Sequence, residues 1–250
     1  MNIKWEERGD GEPLLLIQGL GYARWSWDPV VPGLAERYRV LSFDNRGIGE
    51  SDKPDGPYTA RQMAGDALQV LDEAGIDRAH VLGASLGGMI AQEVAVVAAE
   101  RVQKLVLCCT TSGGAETVPM PDVTVQLFAE AATLAPEVAM RRFVENALGS
   151  DPPPGLVDEL CRRRVENPPD QAGWQAQAAA GMTFAGVDGE IVAPTLILTG
   201  TDDNVVDHRN ADVLAQRIAG ARVERFAGAG HLFFWEQPDA FVRIVTEFLQ

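Results

Sequence analysis

The stretch HVLGASLGGMIAQEVAV, residues 80 to 96, drives an apolar run into Gly83-Ala84-Ser85-Leu86-Gly87-Gly88 and then into an alanine-rich segment. A serine held between glycines is either a tight structural turn or a nucleophile displayed on a sharp strand-to-helix turn, where small neighbours let strand and helix approach. On the second reading the backbone N–H of Leu86 lies at a helix N-terminus, already placed to stabilise an oxyanion. A serine hydroxyl is a weak nucleophile without a base, and the chain has three histidines. His80 starts the strand leading to Ser85, at the wrong end of a sheet, and reads as structural; His208 opens a helix. His231 lies in AGAGHLFFWEQP, a glycine-rich turn between strand-like RVERFA and the last helix, where small residues suit a side chain that must reach over a sheet edge. Such a base needs an acid to orient it, and LILTGTDDNVVD sets Asp202 and Asp203 just past a strand end. Serine, then aspartate, then histidine is the order in which these candidates follow one another along the chain.

Groups so far apart in sequence must be gathered by a common framework. PLLLI (13 to 17), RVLSF (39 to 43), HVLGA (80 to 84), KLVLCC (104 to 109) and TLILTG (195 to 200) are short, continuously apolar and closed by glycine or small polar residues. That is the pattern of strands buried on both faces, as in a parallel sheet. Helical patterns fall between them, over 59–74, 86–99, 209–219 and 238–249, the last with proline in its first turn. The alternation predicts an α/β fold with a doubly wound, mostly parallel sheet. From Thr111 to Val187 no strand pattern appears. Helix-like segments near 121–134, 136–148, 155–166 and 169–182 are split by Pro136, by Asp151-Pro152-Pro153-Pro154-Gly155 and by Pro168-Pro169. We read residues 1–110 and 188–250 as the α/β core and 111–187 as an all-helical cap on the carboxyl edge of the sheet, with a separate helical domain as the alternative.

Composition narrows the function classes. A formal net charge of −15 disfavours nucleic acid and anionic membrane surfaces as partners. No run approaches the ~20 apolar residues of a membrane helix, and MNIKWEERGDGEP is too polar for a signal peptide. Cys108, Cys109 and Cys161 read as reduced thiols, which points to the cytoplasm. Three scattered histidines without paired cysteines fail the ligand count of a metal site, and GASLGG lacks the lysine and spacing of a phosphate loop. No cofactor is expected, the partner is a small molecule, and a homo-oligomer remains open.

Taken jointly, Gly83-Ala84-Ser85-Leu86-Gly87-Gly88, Asp44-Asn45-Arg46-Gly47-Ile48-Gly49-Glu50-Ser51, Gly200-Thr201-Asp202-Asp203 and Gly228-Ala229-Gly230-His231 resemble the α/β-hydrolase superfamily, in its smaller capped form, over nearly the whole chain. The resemblance implies a catalytic Ser85, His231 and an acid at Asp203, third after the glycine of its turn, with Asp202 the weaker candidate. It carries the second oxyanion donor over to the N–H of Leu20 and makes 44–51 a bracing turn, with Arg46 beside Asp44 a structural ion pair or cap. One departure stands out: the family usually has His-Gly after the first long strand, and here it is Gln18-Gly19. A glutamine both donates and accepts, so Gln18 can brace the loop in the histidine's place. The N-terminal half and PTLILTGTDDNVV lean toward the 3-oxoadipate enol-lactonase branch, with carboxylesterase-like members close by.

The expected chemistry is acyl transfer to water on an ester or lactone with an apolar body. Trp25, Trp27, Phe128, Trp174, Phe184, Leu232 and Phe233 fall in segments that should face the site or its cap; Trp25, Phe128, Trp174, Phe184 and Leu232 are the substrate-binding candidates. Serine at 85 argues against dehalogenases and epoxide hydrolases, which need a carboxylate nucleophile. The same triad also suits cofactor-free perhydrolysis, or carbon–carbon cleavage helped by a cap arginine, for which Arg141, Arg142 and Arg162 to Arg164 are available. A ligand receptor on a hydrolase scaffold is the non-enzymatic alternative.

Overall fold

In the computed structural model, which describes residues 1–250, every apolar run named above becomes a strand. In chain order the strands are β1 (Trp5–Arg8), β2 (Glu12–Ile17), β3 (Tyr38–Phe43), β4 (Ala79–Ala84), β5 (Val102–Cys108), β6 (Thr195–Gly200) and β7 (Arg222–Phe226). They form one sheet in the order β1-β3-β2-β4-β5-β6-β7. Six run parallel; β1 pairs antiparallel with β3, Trp5 opposite Phe43. β1 is the strand that periodicity misses. Its sequence, WEER, has no apolar run, because three of its four residues are exposed at the sheet edge.

The helices are α1 (Val31–Leu34), α2 (Ala60–Glu73), α3 (Leu86–Val97), α4 (Asp122–Ala131), α5 (Pro136–Asn146), α6 (Leu156–Glu166), α7 (Gln171–Met182), α8 (Asn210–Arg217), α9 (Phe233–Glu236) and α10 (Pro238–Leu249). Local chemistry sets some of their ends. Thr59 caps α2 in a reciprocal box: its hydroxyl accepts from Gln62 N, and its N–H donates to the Gln62 side chain. Alternate strand residues face opposite sides, so the sheet divides the core in two. Leu15, Ile17, Val81, Leu105 and Ile197 meet α2 and α3 through Met63, Val70, Ile90 and Val94. Leu14, Leu16, Leu82, Val106 and Leu198 meet Trp27, Phe233, Phe234, Phe241 and Val245 on the other side. Trp27, 4.9 Å from Phe234, and Phe233, stacked 4.5 Å from Phe226, are thus core residues and not pocket lining.

Helices α4 to α7 occupy the interval between β5 and β6 with no strand among them. The last of them lies against loops at the carboxyl ends of β2 and β3: Gly173 meets Gly47 backbone to backbone, and Trp174 sits on Gly21. The 44–51 turn below is held by Asp44, which accepts from the N–H groups of Arg24 (2.8 Å) and Glu50 (2.9 Å) and pairs with the Arg24 guanidinium. Arg46 does not pair with Asp44. It reaches α2 and grips both oxygens of buried Asp66, at 2.6 and 2.7 Å. Desolvation raises the Asp66 carboxyl above its ordinary range even against that guanidinium, so the pair fixes the turn without adding much net stability. Arg46→Met, which strands the Asp66 charge, should lower unfolding free energy by about 3 kcal/mol. Arg46→Met with Asp66→Leu should recover most of it. Urea unfolding of the three proteins checks this, and equal losses in the single and double variants would refute it.

Candidate active site

β4 delivers Ser85 and α3 leaves from it. Ser85 holds φ 56° and ψ −120°, a left-handed conformation that a non-glycine residue adopts only under constraint. Its N–H donates to Cys108 O at 2.9 Å, and its carbonyl accepts from Gly88 N (2.9 Å) and from Thr110 Oγ1 (2.7 Å). The glycines around it are obligatory: a Cβ on Gly83 would overlap the Gly87 carbonyl, and one on Gly87 the Ile17 carbonyl. Leu86 is the first residue of α3, where helical N–H groups have no partner within the helix.

Asp203 and His231 meet at the neighbouring strand ends. His231 Nδ1 lies 2.8 Å from Asp203 Oδ2, with both side chains buried. Asp203 Oδ1 accepts from the N–H groups of Val205 (2.8 Å) and Val206 (2.9 Å), so both oxygens are committed and the carboxylate cannot turn. An ionised carboxylate only accepts; Nδ1 therefore carries a hydrogen, and in the neutral imidazole Nε2 keeps its lone pair. Burial of the imidazole opposes its protonation, but the Asp203 charge outweighs it and holds the His231 pKa well above the ordinary histidine value. Asp202 faces elsewhere. It accepts from Ser150 Oγ (3.0 Å) and Thr201 Oγ1 (3.1 Å), and the Ser150 hydrogen bond leads in holding its carboxyl below the usual range. No hydrogen bond joins His231 to Ser85 in this structure. The two share one edge through β5, whose Cys108 carbonyl holds the Ser85 amide and whose next residue, Cys109, touches the pair.

Cys109, Asp203 and His231 bring sulfur, oxygen and nitrogen within 4.8 Å of one another, a donor set that zinc takes. The geometry fits a proton better. Two ligands of one tetrahedral ion stand about 3.3 Å apart, whereas the histidine nitrogen and aspartate oxygen are 2.8 Å apart. Burial also pushes the Cys109 thiol up, so it stays protonated.

The 18–22 loop lies across from Ser85. Gln18 Oε1 accepts from Gly19 N at 2.8 Å, its Nε2 donates to Ser26 Oγ, and its carbonyl accepts from Asn45 Nδ2 at 2.8 Å. The Leu20 N–H has no acceptor in the structure and is free to donate to a ligand. Of the aromatic candidates, Trp174 lies on Gly21, beside Leu20. Leu232 follows His231 but is buried in the core, its N–H bonded to Ala147 O at 3.0 Å. Trp25 lines a polar cleft of about 420 Å³ with Glu6, Arg24, Asp44 and Glu50 that does not touch Ser85, Asp203 or His231. Phe128 is 46 % exposed and packs on Phe143 at 5.0 Å. Phe184 packs against the core layer of α2 and α3. His80 is buried at the start of β4, 3.3 Å from Glu12.

Three residues that sequence patterns do not single out complete the site: Cys109, Gln177 and Glu236. Glu236 accepts from Gly230 N (2.8 Å), just before His231, and from Gly149 N (3.0 Å) in the helical insert. Its only sequence signal is its position one turn beyond His231.

A strained serine on a strand–helix turn beside a buried Asp–His pair, on a mostly parallel sheet, defines a class, and the comparisons agree with it. The chain belongs to the family described as alpha/beta hydrolase fold, which matches residues 12–238. Among its relatives, the 2-hydroxy-6-oxononadienedioate/2-hydroxy-6-oxononatrienedioate hydrolase of Cupriavidus pinatubonensis is 33 % identical, over 99 % of this chain and 90 % of that one. The RutD protein of Azorhizobium caulinodans, whose name assigns it to carbamate hydrolysis, is 30 % identical over 99 % and 94 %. The solved enol-lactonase of Burkholderia xenovorans LB400 superposes with a TM-score of 0.80 at 29 % identity, covering 99 % of this chain and 96 % of that one.

Asp203→Asn should cut kcat by about 10⁴ and Asp202→Asn by far less; equal losses would move the acid. A base works only when neutral, so kcat/KM should fall as pH drops through the raised His231 pKa, with a midpoint above the ordinary histidine value of about 6.5. Asp203→Asn should shift that midpoint downward.

Proposed function

We propose that the protein is a serine hydrolase that cleaves esters or lactones of small, largely apolar and uncharged substrates. Ser85 Oγ attacks the carbonyl carbon while His231 Nε2 takes its proton. The Leu20 and Leu86 N–H groups receive the developing oxyanion, each contributing roughly 3 kcal/mol to the transition state. His231 returns the proton to the leaving oxygen, which departs as an alcohol or, from a lactone, stays tethered to the acyl group. Water, deprotonated by His231, then cleaves the acyl-enzyme to the acid and free Ser85. The steps use only these side chains and water. The observation that carries the reading is the Asp203–His231 contact with both carboxylate oxygens engaged, which leaves the imidazole able to act only at Nε2.

The relatives include hydrolases of carbamates and of dioate substrates. What favours an uncharged ester or lactone here is the state of the insert's arginines. Arg141 pairs with Asp158 and Glu145, Arg142 with Glu130, Arg162 with Glu159 and Glu166, and Arg163 with Asp28 and Glu159. Arg164 donates to Gly21 O at 2.9 Å and lies over the Tyr22 ring. A substrate carboxylate would have to displace one of these contacts.

A panel of p-nitrophenyl esters of graded acyl length, with lactones, a carbamate and a vinylogous diketone alongside, tests the assignment. Short apolar esters or lactones should turn over fastest, and Ser85→Ala should leave only a trace of activity with the fold intact. A fluorophosphonate should label Ser85 alone. Preference for the diketone, or activity in Ser85→Ala, would overturn it.

A further inference from the structure

The donor at Leu20 works only if the 18–22 loop holds still, and the strands do not hold it, because it begins where β2 ends. The Gly19 carbonyl, in the same peptide plane as the Leu20 N–H, accepts only a long 3.4 Å bond from Tyr22 N. The next plane is fixed from outside the α/β core. Gly21 N donates to Gln177 Oε1 at 3.0 Å, and Gln177 Nε2 donates to Arg46 O at 2.7 Å. Gln177 belongs to α7 of the helical insert and is wholly buried. It is separated by more than a hundred residues from both of its partners, yet each end of its amide meets the one backbone group it can satisfy. The residue beside its second partner closes the circuit, since Asn45 holds the Gln18 carbonyl. The loop is thereby tied at both ends to the 44–51 turn, once through Asn45 and once through Gln177, while Trp174, one helical turn earlier in α7, covers Gly21.

We infer that Gln177 is a positioning residue for the oxyanion hole, so that the insert takes part in transition-state stabilisation as well as in covering the site. The bond to Gly21 N fixes the peptide that follows Leu20 and hence the direction of the Leu20 N–H. This rests on the reading of that N–H as an oxyanion donor. An oxyanion hole acts on the tetrahedral transition state and little on the ground state. Loss of Gln177 should therefore appear in kcat and not in KM.

The test compares Gln177→Leu with the parent on the ester that the parent cleaves fastest. The readouts are kcat, KM, the inhibition constant of an alkyl boronic acid, which forms a tetrahedral anionic adduct on the serine, and that of the product acid, which does not. The expected result is a fall in kcat of about 10- to 100-fold, at or below the loss of one oxyanion donor, with KM within threefold. Boronate affinity should fall with kcat, and product affinity should stay constant. A merely structural role would move the melting temperature but not separate boronate from product. Should the leucine variant not fold, Gln177→Asn, which keeps the amide but shortens its reach, is read on the same constants. Unchanged kcat and boronate affinity, or an effect confined to KM, would overturn the inference. Failure of the underlying assignment would look different: the parent itself would neither hydrolyse the ester nor react with the fluorophosphonate.

Discussion

Everything at this site depends on one strained residue. Ser85 at φ 56° has left the strand without yet entering the helix, a conformation that costs roughly 1–3 kcal/mol and persists only when its surroundings over-determine it. Those surroundings can be traced. The Cys108 carbonyl takes its N–H, Gly88 and Thr110 take its carbonyl, and Gly83 and Gly87 let β4, α3 and β2 close to distances that no side chain would permit. Cys109, at the neighbouring strand end, also has a positive φ, 41°. Two adjacent strands thus stop in unusual conformations at the same level, beside the Asp203–His231 pair.

A second principle is that each group is held by saturating its other bonding capacity. Asp203 has one oxygen for His231 and one for two backbone N–H groups. Glu236 divides its oxygens between the histidine loop and the insert. Gln18 folds its amide back on its own loop. A polar side chain whose capacity is filled has one orientation, and buried polar groups left unfilled are costly. Paired hydrogen bonds to both carboxylate oxygens set the orientation of Asp203 and Glu236.

The sequence was most legible where local pattern and chemistry coincide. Continuous apolar runs announced the buried strands; glycines around Ser85 and His231 announced tight turns; and the four helices between β5 and β6 followed the proline breaks. Edge strand β1 was invisible because an exposed strand needs no apolar run. Adjacency in sequence suggested Asp44 as the partner of Arg46, but neighbouring side chains diverge, and the turn carries Arg46 to Asp66 on α2 instead. Gln177 sits in QAGWQAQAAAGM with no local mark of importance; only the long-range fold gives its two ends something to hold. The aromatic residues were the least legible, since an aromatic ring fills a core, a cleft or a surface with the same sequence signature.

The insert's attachments reach the loops around Gly21, Asp203 and His231. Gln177 and Arg164 hold Gly21, Thr124 Oγ1 donates to Asn204 O, Ser150 binds Asp202, and Ala147 and Gly149 bind the histidine segment. For protein engineering this means that the helices between β5 and β6 are not an interchangeable module. Grafting a foreign segment to alter selectivity would also cut the ties of loops it was never meant to touch. A chimera that keeps Thr124, 147–150, Arg164 and Gln177 and varies only the residues between them leaves those ties in place.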